Sequence, residues 1–151
     1  MNVAKFLQQS DVDFEVIPHR ETHDAQHMAQ AIHIPGREVA KTVLLRADHG
    51  YRYIVAVLPA TKQIDLRKAS EALNGSELAL ATEAEIAQCC PDCECGVLPP
   101  FGSQYEMTTM VDESLTHEEE VFFEANTHHE AIRMRFADYR RVEEPLVTPL
   151  T

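Results

Sequence analysis

Two apolar segments, VAKTVLLRA (39–47) and YRYIVAVLPA (51–60), constrain this chain more than any other part of it. Both are dense in β-branched and aromatic residues, which suit a pleated and half-buried surface. Asp48-His49-Gly50 lies between them and has the chemistry of a tight turn. The pair therefore reads as a β-hairpin at the centre of a sheet.

The flanking segments read differently. THDAQHMAQAIHI places Ala25, Met28, Ala29 and Ile32 at helical spacing, with Thr22 or Asp24 as cap and Pro35-Gly36 as stop. DLRKASEALN reads as a helix closed by Asn74-Gly75. ATEAEIAQCC carries Thr82 and, three residues on, Glu85, a capping box. Shorter strands are expected at 95–98, 105–111 and 120–125, and FADYRRV as a last short helix. Helices and strands mix without a strict βαβ rhythm. The expected class is α+β, one domain over 1–151, with a mixed sheet curling into a barrel.

At 151 residues the chain is long enough to bury a core without staples. It has no apolar run of membrane-spanning length and no apolar signal segment in MNVAKFLQQSDVDF, so a cytoplasmic protein is expected. The net charge of −12 argues against general affinity for DNA or any other polyanion. The charge is uneven, however. Residues 1–68 carry nine Lys and Arg against eight Asp and Glu, and residues 69–151 carry four against seventeen. A polyanion would approach a face built from the first half.

Several residues are candidates for chemistry. Lys41 enters an apolar strand, so its ammonium either snorkels to the surface or is held there to neutralise a phosphate or polarise an ester carbonyl. GVLPPFG (96–102) is either a turn between strands or a stiff loop whose free N–H groups face a ligand oxygen. Cys89, Cys90, Cys93 and Cys95 crowd into CCPDCEC. Four ligands so close cannot easily surround a metal tetrahedrally, and a cytosolic disulfide is not expected either. His23 and His27 lie one helical turn apart without the acidic partner of a zinc-protease motif. Ser103 lacks a nucleophile elbow. No phosphate-binding glycine fingerprint is present.

Three segments together are more specific than any one. VAKTVLL (39–45), GVLPPFG (96–102) and FEANTH (123–128), followed by Ile132-Arg133-Met134, resemble in order and spacing the YbaK family of aminoacyl-tRNA deacylases. The same domain is the editing insertion of bacterial prolyl-tRNA synthetase. The resemblance runs from FEVIPH (14–19) to FADYRR (136–141). It implies a barrel-like sheet surrounded by helices, and hydrolysis of the ester between a wrong, small amino acid and tRNA, with tRNA-Pro the expected carrier. It implies no cofactor, no metal and no covalent enzyme intermediate. The implied partner is the acceptor end of a mischarged tRNA, with a synthetase as a further candidate, and with no membrane and no DNA.

By that resemblance Lys41, Gly96 and His128 are the catalytic positions. Thr42, Val97, Leu98, Pro99, Pro100, Phe101, Gly102, Asn126 and Thr127 are the substrate-binding ones. Asn126 stands where many members have glycine. Arg20, Arg37, Arg46, Lys62, Arg67 and Lys68 are candidate tRNA contacts, forming a basic rim around Lys41. Two other readings compete with the hydrolase: a binding module of the same fold without activity, and a metal or redox site at CCPDCEC.

Overall fold

A computed structural model describes residues 1–48 and 52–151. The expected hairpin is there. β2 (Ala40–Ala47) and β3 (Arg52–Pro59) pair antiparallel from Ala40↔Pro59 to Ala47↔Arg52. Of the proposed turn, His49 and Gly50 lie outside the described residues. β4 (Leu78–Leu80) pairs antiparallel on β2, β5 (Thr108–Asp112) runs parallel beside β3, and β8 (Leu146–Thr148) runs parallel beside β5. This makes a mixed five-stranded sheet of order β4-β2-β3-β5-β8. A second, antiparallel sheet has the order β1-β7-β6, from β1 (Phe14–Pro18), β6 (Glu120–Glu124) and β7 (Glu130–Arg135). The α+β class stands. Among the described residues the strands do not close into one barrel ladder, and a single parallel bridge, Val39↔Phe122, links the two sheets.

Among the described residues five short helices flank the sheets. α1 (Val3–Gln9) buries Val3 and Leu7, one helical turn apart. α2 (Ala25–Ala31) is capped by Asp24, which accepts from the His27 N–H. α3 (Leu66–Ala72) starts at Asp65, and α4 (Glu83–Cys89) has the full Thr82/Glu85 capping box. α5 (Phe136–Glu143) follows β7 directly and buries Phe136 and Tyr139. The main core joins α1, α4 and α5 to β2, β3, β6 and β7 through Leu7, Leu44, Val57, Phe123, Ile132 and Tyr139, with Phe101 from the loop; α3 and α2 pack in two smaller clusters around Ala69 and Met28.

The strand expected at 95–98 is a loop. Gly96 takes φ +85°, which turns the chain, and the two prolines that follow cannot donate to a ladder. Val97 and Leu98 are nonetheless buried, which is why their sequence reads as strand. The strand expected from 105 begins at Thr108, because Gly102–Tyr105 form a 3-10 turn that ends with Glu106 in the left-handed region.

Candidate active site

The two sheets part just beyond their single bridge. Lys41 follows Val39 by two residues, and Glu124 follows Phe122 by two. Continued parallel pairing would set Lys41 opposite Glu124. Instead the pairing stops, and a pocket of about 190 Å³ opens between them. Lys41 and Thr42 line it from β2, Gly96 and Leu98 from the proline loop, and Glu124 from the end of β6. His23, Asp24 and Ala25, at the start of α2, complete the wall. A larger hollow of about 450 Å³, lined by Gln26, Gln30 and Gly36 among others, contains none of Lys41, Gly96 or Glu124.

Lys41 is half-buried, and burial lowers its pKa. Among the described residues no carboxylate lies within ion-pair distance of its ammonium and no acceptor binds it. An ammonium in this state can pair with an external anion or polarise a carbonyl.

The proline loop is rigid for reasons visible in its hydrogen bonds. Tyr139 Oη, wholly buried, donates to the Pro100 carbonyl at 2.6 Å. Phe101 packs edge-on against Phe6, Phe123 and Tyr139. Gly102 N–H donates to Thr109 Oγ1 at 2.9 Å, and a Cβ on Gly102 would come within 2.6 Å of that oxygen. The buried Glu143 carboxylate accepts from Ser103 N–H, Ser103 Oγ and Thr109 Oγ1. These bonds also account for most donors in the loop. Val97 N–H is used by the Glu94 carbonyl, Phe101 N–H by the Pro99 carbonyl, and Gly102 N–H by Thr109. Gly96 and Leu98 N–H have no acceptor among the described residues. Both residues line the pocket, so the proline loop contributes two unspent backbone donors to its wall.

His128 is buried at 5% exposure, behind the pocket wall. Its Nε2 lies 2.7 Å from the Cys95 carbonyl, which only accepts, so Nε2 carries a proton. Its Nδ1 lies 3.4 Å from Glu124 Oε1. Burial works to lower the His128 pKa, but the Cys95 carbonyl and Glu124 outweigh it, and the net direction is up. Glu124 is also raised, by burial, against the opposing pull of His128. The His23 ring packs against His128 at a tilt of 52°, with centroids 4.6 Å apart.

The remaining sequence candidates sit elsewhere. Val97, Pro99, Pro100, Phe101 and Gly102 are buried and shape the loop from behind rather than lining the pocket. Asn126 does not take positive φ, so a glycine is not required there. Its side chain clamps the N-terminus: Oδ1 accepts from Val3 N–H at 3.0 Å, and Nδ2 donates to the Met1 carbonyl at 2.6 Å. Thr127 Oγ1 accepts from His129 N–H. The expected basic rim is not in the pocket walls. Arg37 pairs with Glu118, Arg46 with Glu85 and Arg67 with Glu71, and Lys68 donates to the Thr151 carbonyl. Arg20 and Lys62 are exposed, and neither lines the pocket. Cys90 and Cys93 are joined in a disulfide, contrary to expectation; the turn between them brings their Cα atoms to 5.5 Å, within bridging range. Glu21, Glu94 and His129 bring three potential metal donors within 4.8 Å of one another, but none of them lines the pocket.

Sequence reasoning missed Glu124 and Asp24. For Glu124 the signal was present in VFFEAN, where a carboxylate ends an apolar strand just as Lys41 enters one.

Comparison with known families decides what kind of domain holds this pocket. Residues 19–142 match the model of the aminoacyl-tRNA editing domain. The chain belongs to that family. It is 24% identical over 142 residues to the multifunctional Ser/Thr-tRNA deacylase ProXp-y of Escherichia coli O157:H7, covering 92% of this chain and 84% of that one. Among solved structures it is similar to a putative trans-editing enzyme for prolyl-tRNA synthetase, with a TM-score of 0.85 and 22% identity over 99% of this chain and 94% of the other. It is also similar to a hypothetical protein at TM-score 0.88 and 16% identity, over 98% and 97% of the two chains. At such identities these structures speak for the fold. Among the described residues no helix is long and apolar enough to cross a membrane.

Proposed function

We propose that this chain is an aminoacyl-tRNA deacylase that acts in trans, hydrolysing the ester between a small, wrongly attached amino acid and the 3′ end of tRNA. The observation that carries the reading is convergence. In a chain of the editing family, an unpaired lysine and the only unspent N–H groups of the proline loop meet in one small pocket.

The chemistry follows from what these groups can do. Gly96 and Leu98 N–H are preorganised donors for the oxygen that becomes negative as the ester carbonyl is attacked. The Tyr139 and Glu143 bonds hold the loop, so little reorganisation accompanies that charge. Lys41 neutralises the terminal phosphate or the carbonyl end. Water, or a ribose hydroxyl of the substrate, supplies the attacking oxygen. The pocket volume of about 190 Å³ favours small side chains. Discrimination by size in an apolar pocket is modest, roughly 10- to 200-fold per methylene, which is the reason a second, editing site is useful at all. Serine, threonine and alanine esters are the first to try, tRNA-Pro is the first carrier, and a synthetase is the candidate for supplying the grip on tRNA that this acidic chain lacks.

The test is deacylation of a panel of tRNAs mischarged with small amino acids, by wild type and Lys41→Ala. Turnover of one or two esters by wild type, lowered at least roughly 100-fold in the variant, is the expected result for loss of a transition-state contact. Absence of turnover across the panel would leave a binding module instead.

A further inference from the structure

Glu124 stands out once the loop and Lys41 are understood. A carboxylate at the end of a strand as apolar as Val121-Phe122-Phe123 is costly to desolvate unless something cationic meets it. Among the described residues its one hydrogen-bonding neighbour is His128 Nδ1, at 3.4 Å and through Oε1 only. No described residue donates to Oε2. His128 engages that carboxylate through Oε1 only: with its Nε2 proton on the Cys95 carbonyl, the ring donates to Glu124 when Nδ1 is protonated too, and Oε2 stays open in either state. Lys41 faces the same pocket but forms no ion pair with Glu124. The pocket's other carboxylate, Asp24, is already occupied: it caps α2 through His27 N–H at 2.7 Å and binds His27 Nδ1 at 2.5 Å. The cleft therefore offers an unpaired ammonium on one wall and, on the other, a carboxylate with one oxygen still open.

An aminoacyl ester of tRNA is itself ditopic. It has a cationic α-ammonium on one side of the scissile carbonyl and an anionic phosphodiester on the other. We infer that Glu124 receives the α-ammonium group of the aminoacyl ester, leaving Lys41 for the phosphate or carbonyl end. The inference rests on the deacylase reading and adds a specificity to it: the site requires a free, charged amino group. Esters without that charge leave the half-buried Glu124 Oε2 without a donor, and are rejected for that reason. The ammonium's three donors match the open Oε2, and its charge offsets the desolvation that otherwise pushes Glu124 toward its neutral form.

The test compares seryl-tRNA with the same ester after nitrous-acid deamination, which replaces the ammonium by a hydroxyl of similar size. Both are given to wild type and to Glu124→Gln, with circular dichroism to check folding. Wild type should prefer the amino ester by roughly tenfold or more in kcat/KM, after division by the ratio of spontaneous hydrolysis rates. Glu124→Gln should lose roughly 10- to 100-fold on the amino ester and stay within about twofold on the hydroxy ester, because only the charged contact is gone. An unchanged preference in a folded Glu124→Gln overturns the inference. If the variant does not fold, the wild-type preference alone decides, and a corrected ratio near one overturns it. Repeating the measurement with alanyl-tRNA and its deaminated form extends the same comparison if seryl-tRNA is not a substrate. Turnover of no amino or hydroxy ester by wild type overturns the deacylase reading and this inference with it; turnover of both kinds without discrimination overturns this inference alone.

Discussion

At Gly96 the backbone sits at φ +85°, and a Cβ built there meets nothing within 4 Å. A substitution at this position therefore acts through backbone conformation and not through collision. Gly96→Ala should cost about 1–2 kcal/mol in unfolding free energy, read by thermal or urea denaturation, from the left-handed penalty alone. Because Gly96 and Leu98 hold the free N–H groups, the same change should lower kcat by more than the stability loss explains. His128 makes a separate prediction. Its folded pKa lies above its ordinary value of 6.5, so its contribution to stability is fully present below that value and is lost as pH rises through the folded pKa. Glu124, also raised, acts with the same sign from its ordinary value of 4.5 upward. Melting temperature measured upward from about pH 6 should fall more steeply in wild type than in His128→Gln. Equal slopes in the two proteins would mean that the Cys95 and Glu124 contacts do not set the His128 charge.

At the scale of elements, the loop is held from behind by α5. Tyr139 is buried against Phe101, Phe123 and Phe136 and donates to the Pro100 carbonyl. Tyr139→Phe keeps the rings and deletes the donor, leaving a buried carbonyl unsatisfied. It should cost about 1–3 kcal/mol in unfolding free energy and reduce kcat without a matching rise in KM, because it loosens the donors and not the pocket walls. A rise in KM with kcat unchanged would place the effect in substrate binding instead. Much of this framework could be read from the residues. The β2–β3 hairpin, the Asp24 cap, the capping box of α4 and the helix at FADYRRV all announce themselves through period and local chemistry. β8 does not: it is three residues long between Pro145 and Pro149, and its strand character comes from lying parallel on β5. α1 was equally silent, because its amphipathic face amounts to Val3 and Leu7. The pocket was half legible. A lysine in an apolar strand and a glycine before two prolines are visible in sequence, and they do meet. That Asn126 would tie down the N-terminus, and that Glu124 would face Lys41, depend on two sheets meeting at one bridge, which no local pattern encodes.

The whole molecule carries a charge of −12, and most of the arginines and lysines considered for tRNA contact are already paired with its own groups. A chain that bound tRNA along its backbone would need several free cations near the site. Here Lys41 is the one cation in the pocket wall, with exposed Arg20 and Lys62 among the few left for the approach. Few phosphates can then be neutralised on binding, and few counterions released. For single-stranded ends the slope of log affinity against log salt is about −0.7 per phosphate contacted. With one or two contacts, KM should rise only about 3- to 7-fold between about 50 and 200 mM salt, against a thousandfold or more for a protein gripping six to ten phosphates of duplex. Lys41→Ala should flatten the slope by about 0.7 if its ammonium sits on the terminal phosphate, and leave it unchanged if it sits on the carbonyl. Measuring KM across salt for both proteins therefore does two things at once. A shallow slope assigns recognition of the tRNA body to another molecule, and the difference between the two slopes assigns the charge that Lys41 meets.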